Sequence, residues 1–175
     1  MSAVTAYDET TLNDAGTARI VALAYAGAGD SFTRADLVFA GVDHAGSSYE
    51  VRVFLNRVDV AMDTPREPAA GYAGRIHVFG HGGCFGDLGH CDVPELSLDP
   101  TDLRPPHQLT PLTTFLTVTE PLRRLLGAGA GLTTVTLLPI GRPPRRADRA
   151  PDPELFRFQS VDLQTYRTPP DLADG

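Results

Sequence analysis

Apolar and polar positions alternate with period two in short runs separated by turn residues. The clearest run covers 49–56, where Tyr49, Val51, Val53 and Leu55 interleave with Glu50, Arg52, Phe54 and Asn56. Successive side chains of a strand point to opposite faces, so this spacing predicts one buried face and one largely polar face. Similar runs cover 18–25, 35–42, 74–80, 112–119, 132–140 and 155–163, each bounded by Gly, Pro, Asp or Asn. In the last of them Phe156 and Phe158 share one phase while Val161 and Leu163 fall on the other. A bulge near Gln159 or Ser160 is therefore expected, to keep all four inward. One helix is predicted after Thr119, which is placed to cap it. Glu120 suits its positive end, Pro121 its first turn, and Gly127 or Gly129 its stop. Leu122, Leu125 and Leu126 form its apolar stripe, with Arg123 and Arg124 facing water. About seven strands and one short helix predict an all-β fold, a β-sandwich of jelly-roll-like form.

Composition narrows the picture further. With 175 residues the chain suits a single domain, with its core at about 18–166 and frayed ends at 1–16 and 167–175, and it needs no disulfide staple. The 15 prolines and 17 glycines favour short strands over long helices. A net charge of -7 argues against nucleic acid or an anionic membrane as a partner, because either demands a basic surface. No secretion signal and no apolar stretch of membrane-spanning length stands in the sequence, so a cytoplasmic location is the default expectation.

Candidate chemistry is concentrated in 81–92, HGGCFGDLGHCD, which holds both cysteines and two of the five histidines. Thiolate and imidazole suit copper and zinc, and the glycines allow a short loop to fold back on itself. His81, Cys84, His90 and Cys91 thus form a candidate four-ligand metal set, although the spacing is not that of a zinc finger. Two other readings stay open: a disulfide between Cys84 and Cys91, and simple burial of the cysteines as small apolar groups. Asp87 and Asp92 read as turn residues or as carboxylates orienting imidazoles. His77 faces away from Ile76 and Val78, toward solvent or toward the loop. His44 and His107 stand in turn-like contexts beside Gly46 and Pro106 and read as exposed. A small metalloenzyme is the alternative function, with His81, Cys84 and His90 as the minimal ligands and one coordination position open. A metal-free binding module is the third. The chain carries no GxSxG, P-loop or HExxH signature and no glycine-rich dinucleotide fingerprint, and it offers no catalytic residue by motif.

The order of the segments YEVRVFLN (49–56), GYAGRIHVFGH (71–81), LTPLT (109–113), TEPLRRLL (119–126) and VTLLP (135–139) resembles the C-terminal β-domain of the tyrosinase and polyphenol oxidase family. The resemblance covers about 36–166. It implies a small β-domain that, in the family, follows a four-helix catalytic domain holding two copper ions through six histidines. These 175 residues include no such helices and only five histidines, so no family copper ligand carries over. The implied role is that of an accessory: a free-standing chain acting on a tyrosinase-like oxidase, by shielding its copper entrance or delivering copper. Tyr72 and Phe85, each beside glycines and expected to be exposed, have the reach to enter a partner's cavity.

Overall fold

The computed structural model describes residues 14–15, 17–28, 31–82, 88–89, 92–94, 101, 103, 107–141 and 155–167. In chain order the strands are β1 (Asp14–Ala15), β2 (Arg19–Tyr25), β3 (Arg34–Val42), β4 (Tyr49–Leu55), β5 (Tyr72–Val78), β6 (Leu112–Thr117), β7 (Leu132–Gly141) and β8 (Ser160–Tyr166), with one α-helix, α1 (Thr119–Gly127), between β6 and β7. All pairing is antiparallel. One sheet runs β7-β4-β5, with β1 and β2 both pairing the far edge of β7; the other runs β6-β3-β8. Among the described residues the fold is an all-β sandwich with one α-helix and a single 3-10 turn at Pro68–Ala70. None of its described helices is long and apolar enough to cross a membrane.

The two sheets meet through the residues that alternation places inward. Leu37 and Phe39 of β3, Val51 and Val53 of β4, and Val135 and Leu137 of β7 are fully buried in one cluster with Leu122 of the helix. Removing that apolar surface from water is the main force holding the layers together. Three aromatic rings fix the β8 side: Phe39 lies 5.7 Å from Phe156 and 6.0 Å from Phe158.

Several local expectations change. The last strand begins at Ser160 rather than at residue 155. Phe156 and Phe158 reach the core from a non-strand segment, held by the Asp43 N–H to Arg157 carbonyl and Gln159 N–H to Ala40 carbonyl bonds. All four apolar residues of that run pack on the core, and the change of phase falls where the ladder begins. Asp14–Ala15, in the segment expected to fray, pairs with Gly141 and Ile140.

Thr119 does not cap the helix. The cap position is Val118, without a side-chain bond, and the Thr119 hydroxyl instead accepts the Ala35 N–H at 3.0 Å, tying α1 to β3. Arg123, expected in water, donates to the Phe32 carbonyl at 2.8 Å and pairs with Glu120 at 2.9 Å. The helix does end as predicted: Gly129, at φ 77°, donates to Leu126, and the next N–H returns to Leu125.

The polar face of β4 is the largest departure. All seven residues of this strand are buried. Glu50 is fully buried and accepts Arg52 Nε at 2.8 Å and an Arg75 terminal N–H at 3.3 Å, while a terminal N–H of Arg52 reaches the Met62 carbonyl at 3.0 Å. Beside them Leu138 and Ile140 of β7 pack with Val60 and Ala18. The segment after β4 therefore folds back over the sheet, making a second, partly ionic core on its outer side.

Candidate functional site

Three chain segments converge at the end of the sandwich where β5 finishes. Beyond Val78 the chain runs beside the β3–β4 connection: Gly80 N–H bonds Ser48 Oγ at 3.0 Å, His81 N–H bonds the His44 carbonyl at 3.1 Å, and Gly82 N–H bonds the Gly46 carbonyl at 2.9 Å. Only glycine fits at position 80, because a Cβ there would overlap the carbonyls of Gly46 and Ser47. The third segment arrives just before β6, where the Thr110 carbonyl lies 2.9 Å from His44 Nε2. A carbonyl can only accept, so Nε2 carries the proton, and in neutral His44 the lone pair is on Nδ1.

The result is a pair of histidines. The rings of His44 and His81 are 4.9 Å apart between centroids and tilted by 54°. His44 is buried, at 8% exposure, and His81 is exposed. The expectation of an exposed turn histidine at 44 is thus corrected: its ring is buried, beside the His81 ring and against the Thr110 carbonyl. His107 is half-buried and accepts the Leu109 N–H at its Nδ1, at 3.1 Å, within the turn that leads to Thr110. His77 points to the outer face of its sheet, opposite Glu50 in register, and not along the strand toward His81.

Of the four candidate ligands, His81 is described and emerges at the root of the loop. Cys84, His90 and Cys91 lie outside the described residues, as do Asp87 and Phe85. Asp92 is described and exposed. Among the described residues no group of three or more His, Cys, Asp or Glu side chains is gathered as metal ligands would be. The sequence signal that could have found His44 was weak: its partner is 37 positions away, and no local periodicity links the two.

A separate shallow cavity of about 220 Å³ lies between the start of β5 and the helix, lined by Leu55, Pro68, Tyr72, Pro121, Arg124 and Leu125. Tyr72, expected to be exposed, is half-buried here and packs edge-on against Phe54 with centroids 5.4 Å apart. Burial pushes its phenol above the ordinary tyrosine value, against the opposing pull of Arg75. The folded protein therefore keeps a proton that the unfolded chain releases. That contribution to stability is complete below about pH 10 and is lost as pH rises through the folded-state value. Unfolding measured between neutral and strongly alkaline pH is expected to show this decline, and Tyr72→Phe to flatten it; identical profiles would place the phenol in water.

No family model and no curated protein matches this sequence. Solved structures do. The chain superposes over 93% of its length on latent aurone synthase (polyphenol oxidase) from natural source, with TM-score 0.50 and 15% identity. It matches the recombinantly expressed latent aurone synthase with the same TM-score, identity and coverage. The chain spans 30% of the length of those proteins. At this identity the likeness is one of fold: a sandwich of this kind occurs within a polyphenol oxidase.

Proposed function

We propose that this chain is an accessory domain for a tyrosinase-like copper oxidase, shielding the oxidase or supplying it with copper, and that it takes up the ion through His81, Cys84, His90 and Cys91. The observation supporting this reading is the shared sandwich, which covers 93% of the chain but 30% of a polyphenol oxidase described as latent. The oxidation chemistry would then belong to the partner, because among the described residues no histidine stands on a helix. Its own residues would hold the ion and release it. Thiolate and imidazole are suited to Cu(I) and to zinc. The described part of the site agrees with that chemistry, since His81 stands exposed beside a second imidazole.

The test uses the purified chain. It is expected to retain about one equivalent of Cu(I) or Zn(II) through desalting, and to lose it in the Cys84→Ser, Cys91→Ser double variant. The copper-loaded chain is expected to oxidise neither phenols nor catechols, and to raise the activity of a copper-depleted tyrosinase-like oxidase. Catechol turnover by the chain alone, abolished by chelation, would replace the accessory reading with that of a small metalloenzyme. Full metal retention in the double variant would move the site away from the thiols.

A further inference from the structure

We infer that His44 is a metal ligand, forming with His81 a two-imidazole site for a divalent ion of the zinc or copper class. The inference deepens the loop reading and rests on it only for the thiols that would raise the affinity. Its own basis is three observations on described residues.

The first is separation. A tetrahedral ion about 2.0–2.1 Å from each donor nitrogen sets two imidazole centroids roughly 5 Å apart, and the His44 and His81 centroids are 4.9 Å apart. The second is the tautomer. Metal-bound histidines usually donate their other ring N–H to a carbonyl or carboxylate, which orients the ring and presents the lone pair. His44 Nε2 does this to the Thr110 carbonyl at 2.9 Å, leaving Nδ1 as the donor atom. The third is rigidity. The His81 N–H bonds the His44 carbonyl at 3.1 Å, and the flanking Gly80 and Gly82 bonds hold the two backbones side by side, so little chain entropy remains to be lost when an ion joins the rings. His81 is exposed as a residue while the ring it meets is buried, so an ion between them would reach solvent through His81.

Imidazole-nitrogen NMR during a Zn(II) titration reads the pair directly. In the full chain carrying Cys84→Ser and Cys91→Ser, His44 and His81 are expected to shift together with one dissociation constant, while His107 stays still. His44→Gln removes the lone-pair nitrogen but keeps an N–H able to reach the Thr110 carbonyl. In that background it is expected to abolish the His81 response. In the chain with its cysteines intact it is expected to weaken zinc binding roughly tenfold or more. An unchanged His81 response in the His44→Gln protein overturns the inference, and so does a titration of the parent protein in which His44 does not move. The two readings fail separately. Undiminished zinc affinity in the double-cysteine variant with both rings responding removes the thiols and keeps the pair. Tight zinc binding with both rings silent removes the pair and keeps the thiols.

Discussion

Glu50→Ala is expected to lower stability by about 3–5 kcal/mol. The carboxylate is fully buried and bonded to both Arg52 and Arg75. Deleting it leaves the Arg52 guanidinium, whose side chain is only 10% exposed, without the carboxylate that offset it. Loss of one partner costs far more than the intact group contributes, because a buried charge cannot recover its hydration. For a domain of this size the shift corresponds to a fall in Tm of roughly 10 °C. Urea unfolding of the wild type, Glu50→Ala and the double variant Glu50→Met, Arg52→Met would measure it. The double variant replaces the ions with apolar volume and is expected to recover much of the loss. A Glu50→Ala midpoint equal to that of the wild type would mean that water already reaches the carboxylate.

Phe39→Ala is expected to cost a similar amount, about 3–5 kcal/mol, by a different route. Phe39 is fully buried and sits between Thr114 of β6 and Val161 of β8 in register. Its ring also contacts Phe156 and Phe158, which no strand ladder holds in place. The cavity left by truncation opens where the surroundings have least support, and the 155–159 segment loses the surface it packs against. Phe39→Leu fills most of the space and is expected to cost clearly less. Denaturant midpoints together with the near-ultraviolet aromatic signal test this. A Phe39→Ala loss no larger than that of Phe39→Leu would show that the three-ring cluster does not hold the sheets.

The layers of this fold were legible because burial obeys a short period. Val51 and Val53, or Leu37 and Phe39, announce a strand and its inward face within a few residues. Glu50 and Arg52 misled for the same reason. Charged residues at alternate positions read as a solvent face, and nothing in 49–56 shows that the chain returns to cover them. Thr119 was read as a cap from local preference, and a tertiary bond to Ala35 took its hydroxyl instead. The start of β8 was misplaced because Phe156 and Phe158 show the hydrophobicity of a strand without its ladder. At the candidate site, the sequence singles out His81 through its neighbours in 81–92, since clustered donors are visible in one dimension. His44 was read as an ordinary turn residue, because only the path of β5 past the β3–β4 connection brings it there.

That passage has a further consequence, for how the region can vary. His81 and Thr110 are both fastened to a single residue, His44, the first by its carbonyl and the second by its ring. The ends of the intervening stretch are thus fixed close together whatever lies between them. Doubling the length of a loop with fixed ends adds only about 0.6 kcal/mol of closure cost. Added length between those two anchors therefore costs the sandwich little, while Gly82, bonded to the Gly46 carbonyl, and Leu109, buried at 7% exposure, keep their places beside them.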